Sequence, residues 1–230
     1  VDRGTALYAV CPWIEGVRSV PLAEAPLVGT ERPSRVIKTH LPAALCPTGP
    51  GARYIYVARH PVSCFASCGD FIRTNVGPMA PSLAEMERWF TDPEWMWWGT
   101  WTAHVADWWD RGTRDGNVLF VQFETMRRDL PGVVRQVAEF LGMQPLSAEE
   151  VAEVVRKCSF DYMQAHQDNF EMHPPHLLQA DAELFVRGTA DRHKDVPADV
   201  RDRLARWAVR ELERRAVPLD QLYAAVEGER

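Results

Sequence analysis

The segment from Arg35 to Ser67 constrains the fold of this chain more than any other. It contains two short apolar runs, Val36–Ile37 and Tyr54–Val57, and each is followed by polar residues and then a proline. Apolar runs that are β-branched or aromatic and end in this way are typical of short buried strands. We therefore expect two parallel strands and an α/β architecture.

Candidate catalytic side chains follow the first of these runs. Lys38, Thr39 and His40 stand where the strand is expected to end, and alternate side chains of a strand share a face. Lys38 and His40 would then lie side by side, with Thr39 pointing the other way. Ligands bind at the carboxyl ends of strands in open α/β sheets, so this cation and this titratable base are candidates for a catalytic site.

The second apolar run ends in Arg59, and Pro61 follows it. Proline fits the first turn of a helix, and the amides and dipole of a helix N-terminus attract an anion. We therefore expect an anion-binding site beside Arg59. The alternative interpretation is a surface arginine at the end of a strand.

Several short motifs, taken together, resemble the cytosolic-type sulfotransferase family, which uses 3′-phosphoadenosine 5′-phosphosulfate (PAPS). In chain order they are Lys38–Pro42 (KTHLP), Ala58–Arg59 with Ser67 eight residues beyond, Asn117–Met126 (NVLFVQFETM), Phe140–Gly142, Cys158–Met163 (CSFDYM) and Phe185–Lys194 (FVRGTADRHK). Each motif alone is a weak signal, whereas their joint order is a strong one. The resemblance implies a single domain over residues 1–230, with a central parallel sheet flanked by helices as in P-loop NTPases.

The resemblance also implies roles for the matched residues. His40 would be the general base for the proton of the acceptor, and Lys38 would stabilise charge on the transferring sulfuryl group. The nucleotide, PAPS or its product PAP, would be held by Arg59, Ser67, Phe123, Cys158, Phe160, Arg187 and Gly188. Among these, Phe160 would stack on the adenine, and Arg59, Ser67, Arg187 and Gly188 would bind the 3′-phosphate. No metal is expected.

The chain departs from the family pattern at several positions. The family's Arg-Lys-Gly triplet reads Val186-Arg187-Gly188, Phe123 replaces the usual tyrosine, and Cys158 replaces a common threonine. The Lys/Arg-Ser-Gly-Thr-Thr loop that cradles the 5′-phosphosulfate in this family is not recognisable. We expect a strand, that loop and a helix in roughly 30 to 50 residues before Val1, as a right-handed parallel crossover requires.

Two classes of function remain open on the sequence. The first is a transferase that moves a sulfuryl group to a hydroxyl or amine of a small molecule. The second, suggested by the missing loop, Val186 and Phe123, is a non-catalytic nucleotide-binding or scaffold relative, and we expect the first. A P-loop kinase is disfavoured, because the chain contains no Gly-x-x-x-x-Gly-Lys-Ser/Thr.

The composition bears on partners and compartment. A net charge of −6 argues against general nucleic-acid binding. No apolar run approaches the roughly 20 residues of a membrane-spanning helix.

Five scattered cysteines favour reduced thiols and a cytoplasmic protein. Cys64-x-x-x-Cys68 is read as two buried structural thiols rather than metal ligands. The family's C-terminal dimerisation motif is not recognisable, which leaves the oligomeric state open.

Periodicity and capping signatures predict the remaining elements. They are a helix over Pro61–Arg73, a helix opened by the capping box Ser82-x-x-Glu85, a tryptophan-rich helix over about Asp92–Arg111, a turn over Gly112–Gly116, a strand over Val118–Phe123, a helix from Pro131 to Gly142 and one capped by Ser147-x-x-Glu150. Trp97, Trp101, Val105 and Trp108 recur at helical spacing, which indicates core packing. The alternative is that one or two tryptophans border an aromatic acceptor.

Overall fold

The computed structural model of this chain describes residues 6–16, 19–29, 33–49, 51–170, 185, 191–218 and 222. The chain forms two compact units. Unit 1 comprises residues 1–40, 71–80 and 158–188, and unit 2 comprises residues 41–70, 81–157 and 189–230. The single domain over residues 1–230 stays a prediction.

Nine α-helices and two β-strands lie in the described ranges. The helices are α1 (Leu7–Val10), α2 (Pro61–Val76), α3 (Leu83–Thr91), α4 (Trp101–Asp115), α5 (Phe123–Arg128), α6 (Leu130–Phe140), α7 (Ala148–Lys157), α8 (Phe160–Ala165) and α9 (Ala198–Arg214). The strands are β1 (Tyr54–Ala58) and β2 (Val118–Gln122). Among the helices described, none is long and apolar enough to cross a bilayer.

The two strands pair in parallel in unit 2, in a register that sets Tyr54 opposite Val118. On one face of the pair, Tyr56 packs against Phe120 with ring centroids 5.1 Å apart. Trp108 of α4 covers the same face, 5.0 Å from the ring of Tyr54 and 5.7 Å from that of Tyr56. The predicted α/β architecture, with helices against a parallel sheet, is confirmed.

Helix α9 completes the helical packing of unit 2. Its buried positions are Val200, Leu204, Ala208 and Leu212, which recur every four residues along one stripe. Trp207 meets Phe90 of α3 with ring centroids 6.0 Å apart. At the surface, Arg203 forms a bidentate pair with Glu87, at 2.7 and 2.8 Å.

The first predicted strand is wrong. Of the described residues in 35–40, Lys38 alone forms a bridge, a single parallel one to Trp13. Val36 and Ile37 are 54% and 45% exposed, so the run that suggested a buried strand is not buried. Pro12 precedes the bridge, and because proline has no N–H it cannot extend the ladder.

The tryptophan-rich helix begins later than predicted. Thr100 caps α4 by accepting a hydrogen bond from the backbone N–H of Ala103 at 3.3 Å. The preceding residues 92–99 form turns instead of helix. Two residues explain the break, since Pro93 resists helix interiors and Gly99 adopts a left-handed φ of 83°.

The core packing predicted for this helix is confirmed only in part. Trp101, Val105 and Trp108 are buried, as their spacing indicates. Trp97 is 73% exposed, because it lies in the turns before α4.

The turn predicted at Gly112–Gly116 is also wrong, since α4 continues to Asp115 and ends at Gly116 in a left-handed conformation. Gly112 is inside the helix. A Cβ at this position would lie 3.2 Å from the ring of Phe120 and 3.3 Å from Val118. The glycine therefore permits close contact between α4 and β2 rather than a turn.

The other boundaries follow the prediction closely. Both capping boxes form, with the backbone N–H groups of Ser82 and Ser147 each donating to the glutamate three residues on, at 2.8 Å. Helix α2 runs to Val76, three residues beyond the predicted Arg73. Strand β2 ends at Gln122, so Phe123 opens α5 instead of closing the strand.

Candidate active site

Lys38 lies in an aromatic niche of unit 1. Its Nζ donates a hydrogen bond to the hydroxyl of Tyr8 at 3.1 Å. The same ammonium lies 4.4 Å from the ring centroid of Trp13 and 5.2 Å from that of Tyr8. Aromatic faces attract a cation, so the two rings fix the position of the charge.

His40 also contacts Trp13. Its ring meets Trp13 edge-on, with centroids 5.3 Å apart. Lys38 and His40 thus share one aromatic neighbour, while the Thr39 hydroxyl bonds to Glu15. These directions agree with the predicted alternation, even though the segment forms no ladder.

The backbone around this motif is held by residues 12–15. The N–H of Lys38 donates to the carbonyl of Pro12 at 2.9 Å, and the N–H of Ile14 donates to the carbonyl of Lys38 at 3.3 Å. Two residues beyond Lys38, the backbone N–H of His40 donates to the carboxylate of Glu15 at 2.8 Å. Three successive contacts therefore fix residues 38–40.

In unit 2, Arg59 directly follows β1, and its guanidinium packs against an aromatic ring. Its Cζ lies 4.4 Å from the ring centroid of Phe123. Burial lowers the pKa of Arg59, and the nearby Arg192 acts in the same direction, whereas Glu124 acts against it. Arginine nevertheless remains charged at neutral pH, so Arg59 is a partly desolvated cation suited to an anion.

The start of α2 follows Arg59. The backbone N–H of His60 donates to Glu124 at 3.0 Å. Burial lowers the pKa of His60 to about 4, and His193, whose ring centroid is 6.0 Å away, contributes in the same direction. His60 is therefore neutral at physiological pH. His193 in turn bonds to the hydroxyl of Ser63 at 3.3 Å.

Cys64 and Cys68 of α2 are half-buried, and their role as structural thiols stays a prediction. Burial raises the pKa of Cys64 to about 11, although Arg59 acts in the opposite direction. Burial likewise raises the pKa of Cys68 to about 12. Both thiols are free and protonated near neutral pH.

The remaining predicted nucleotide residues are placed as follows. Ser67 is half-buried on α2, and Cys158 is exposed just after α7. Phe160 opens α8, behind the cap Ser159, and its ring meets Phe185 edge-on at 6.4 Å. Arg187 and Gly188 lie outside the described residues.

Four residues with contacts to these groups were not predicted from the sequence. They are Tyr8 and Glu15 in unit 1, and Glu124 and His193 in unit 2. Glu124 could have been found, because it comes directly after a strand end, where ligand-binding residues gather. Glu15 could not, since its contact with His40 joins segments 25 residues apart.

Comparison with known proteins agrees with the sequence motifs. The sulfotransferase domain family matches residues 3–213 of this chain. Sulfotransferase 1E1 of Rattus norvegicus is 28% identical over 197 residues, which cover 83% of this chain and 63% of that protein. Sulfotransferase 1C2 of Homo sapiens is 31% identical over 134 residues, covering 56% of this chain and 44% of that protein.

Solved structures share the fold at lower identity. A retinol dehydratase in complex with androsterone and the inactive cofactor PAP matches with a TM-score of 0.66 and 22% identity, over 80% of this chain and 55% of that one. Mouse sulfotransferase SULT7A1 complexed with PAP matches with a TM-score of 0.63 and 22% identity, over 84% and 72% of the two chains.

This chain spans about three fifths of the length of the first curated relatives it matches, from 57% to 63%. The family match nevertheless extends through both units and includes the residues around Lys38, His40 and Arg59. On the strength of this match, the chain belongs to the sulfotransferase domain family.

Proposed function

We propose that this protein transfers a sulfuryl group from PAPS to a hydroxyl or amine of a small-molecule acceptor. The observation that carries the proposal is the joint fixing of Lys38 and His40 against Trp13, 4.4 Å and 5.3 Å from its rings. A cation and a base held at one place are what a group transfer with proton removal requires.

In this proposal, His40 accepts the proton of the acceptor as the new oxygen–sulfur or nitrogen–sulfur bond forms. Histidine as a residue type has an unperturbed pKa of about 6.5, which suits a base that works near neutral pH. Lys38 stabilises the negative charge that develops on the sulfuryl oxygens and the leaving oxygen. Sulfuryl transfer asks for the same alignment and charge stabilisation as phosphoryl transfer.

Among the described residues, Arg59 is the one best suited to bind a phosphate group of the nucleotide. Its guanidinium is partly desolvated and oriented by the ring of Phe123, which strengthens a charge-assisted hydrogen bond to an anion. Ser67, Cys158, Phe160, Arg187 and Gly188 complete the proposed site. The PAP complexes among the structural neighbours support this choice of ligand.

A small apolar acceptor is the class favoured for the second substrate. Structural neighbours are described with androsterone and with retinol, both together with PAP. The exposed tryptophans of residues 92–99 offer aromatic surface to such a molecule, with Trp95 and Trp97 63% and 73% exposed.

The test is transfer of labelled sulfate from PAPS to a panel of phenols, alcohols and amines. His40→Ala should lower kcat by at least about tenfold, in line with the typical 10²- to 10⁴-fold contribution of a general base. PAP binding, measured by calorimetry, should stay within about twofold, because the imidazole acts on the acceptor proton. A protein that binds PAP but transfers nothing to any acceptor would instead be a nucleotide-binding relative without catalysis.

A further inference from the structure

Glu15 is bound to both residues that end the Lys38-Thr39-His40 motif. Its Oε1 accepts a hydrogen bond from the Thr39 hydroxyl at 2.5 Å and one from the backbone N–H of His40 at 2.8 Å. One carboxylate oxygen therefore fixes a side chain and a main-chain group in consecutive residues. Hydrogen bonds to an ionised acceptor are roughly twice as strong as neutral ones.

The approach of Glu15 is set by the backbone. The bonds from the Lys38 N–H to Pro12 and from the Ile14 N–H to Lys38 align the two segments in parallel. Glu15 directly follows Ile14, whose backbone is bonded to Lys38. The Glu15 side chain therefore starts from a fixed position when it reaches Thr39 and His40. Backbone hydrogen bonds between the two segments therefore support the contact of Glu15 with Thr39 and His40.

The second oxygen of the carboxylate has no hydrogen-bond donor. Within the part of the chain that the structure describes, Oε2 of Glu15 is buried and accepts no hydrogen bond. A buried acceptor left in this state costs free energy. A positive charge nearby would offset that cost, and the His40 imidazole is the group whose charge lowers the pKa of Glu15.

We propose that Glu15 is the positioning residue of the base His40: it holds the main chain of the base in place and stabilises its imidazolium form by charge. The inference rests on the proposed function, in which His40 takes a proton from the acceptor. Glu15 acts through the His40 N–H and through space, and it contacts no reacting atom. Its negative charge matters most at the moment when the imidazole becomes positive.

The electrostatics of the cluster agree with this role. Burial would raise the pKa of Glu15, but the hydrogen bonds from Thr39 and His40 and the attraction to the His40 imidazole hold it below its usual value. The carboxylate is therefore ionised at neutral pH. The other titratable groups of the cluster are Lys38, Tyr8 and Cys11, and the pKa of the Cys11 thiol is raised by burial.

Two substitutions separate the hydrogen bonds from the charge. Glu15→Gln keeps an oxygen that can accept from Thr39 and His40, but it removes the negative charge. Glu15→Ala removes both. Glu213→Gln, at an exposed position of α9, is the matched control for the loss of one carboxylate.

The first measurement is an NMR titration of the His40 imidazole without any nucleotide. An opposite charge within about 4 to 6 Å favours the charged form of a titratable group. We expect the pKa of His40 to fall by roughly half a unit to one unit in Glu15→Gln and to stay unchanged in Glu213→Gln. This readout does not depend on turnover.

The second measurement is the rate of sulfate transfer across pH. In Glu15→Gln, the pH at which kcat reaches half its plateau should move down together with the pKa of His40, and kcat should fall about threefold to tenfold. In Glu15→Ala, kcat should fall about a hundredfold, since misplacement of a reacting group by about 1 Å costs that much. KM for the nucleotide should change less than twofold in both.

The outcomes separate this inference from the function on which it rests. An unchanged His40 titration in Glu15→Gln would overturn the inference, as would a kcat in Glu15→Ala within twofold of the wild type while His40→Ala is inactive. If His40→Ala keeps full activity, the proposed base is wrong, yet the titration still decides the coupling of Glu15 to His40. Should Glu15→Ala fail to fold, Glu15→Gln carries the test, because it retains the acceptor oxygen.

Discussion

The guanidinium of Arg111 lies 4.3 Å from the ring centroid of Tyr54, inside unit 2. The side chain is only 2% exposed and donates hydrogen bonds to the carbonyl oxygens of Ala43, Cys46 and Pro47, at 3.0, 3.3 and 2.5 Å. Helix α4 thereby fixes the connector that follows the His40 motif. A buried cation with these partners is a structural residue, not a ligand-binding one.

Arg111→Met should destabilise the protein by about 3 kcal/mol. Methionine keeps much of the apolar stem, but it removes the Arg111 donor from two buried carbonyl groups, those of Ala43 and Cys46, each at a cost of about 1 kcal/mol or more. Urea unfolding at pH 7.5 measures the change. Arg114→Met is the matched control on the same helix, since Arg114 is 62% exposed and its loss should cost less than about 0.5 kcal/mol. Equal effects of the two substitutions would contradict the structural role of Arg111.

Residue patterns predicted correctly those elements for which the local sequence and the tertiary packing favour the same structure. The capping boxes at Ser82 and Ser147 specify helix starts through their own side chains, and both form. The run Tyr54–Val57 became β1 because a partner strand lies beside it. The run Val36–Ile37 also predicted a strand, but neither residue pairs with another strand, and the bridge beside the run joins Lys38 to Trp13. The sequence does not carry this difference, which depends on pairing with distant segments.

The same reasoning applies to the candidate site. Lys38, His40 and Arg59 were predicted because they stand at the ends of apolar runs, a local feature. Their supporting residues Tyr8 and Glu15 were missed because each contact spans 25 residues or more. Gly112 led to a wrong prediction. As a glycine it suggested a turn, but it lies inside α4, where the lack of a side chain leaves room for Phe120.

The neutral state of His60 predicts a loss of stability in mild acid. Its pKa is lowered by burial from an ordinary 6.5 to about 4 in the folded protein. The unfolded chain therefore binds a proton first as the pH falls from 6.5 towards 4, and stability is lost over that window. We expect His60→Asn, which cannot titrate, to lose roughly 1 to 3 kcal/mol less than the wild type between pH 7.5 and 4.5. Parallel pH profiles of the two proteins in urea unfolding would argue against a buried neutral His60.

The contact between Arg59 and Phe123 predicts how the 3′-phosphate is recognised. The wild type should bind PAP more tightly than the analogue with a 3′-hydroxyl, and Arg59→Ala should erase much of that preference. Phe123→Leu should weaken PAP binding about threefold to tenfold, because loss of the aromatic face removes about 1 kcal/mol of attraction that holds the guanidinium. Phe123→Tyr keeps that face and should bind like the wild type. Calorimetry with both nucleotides measures the preference, and equal affinity of the wild type for the two would refute the assignment of Arg59.

The niche around Lys38 predicts an energetic coupling between Lys38 and Tyr8. Tyr8 is buried, and its hydroxyl accepts the hydrogen bond from the ammonium. Tyr8→Phe removes the acceptor but keeps the ring, whereas Lys38→Met removes the charge but keeps the stem. If the contact contributes as a hydrogen bond to a charged group does, the effects of the two substitutions on the free energy of unfolding should differ from additivity by about 1.5 to 3 kcal/mol. Tyr8→Phe should then cost little in a protein that already carries Lys38→Met. Strict additivity in this double-mutant cycle would mean that the Tyr8 hydroxyl does not hold the ammonium, and the position of the charge would then depend on the rings of Tyr8 and Trp13.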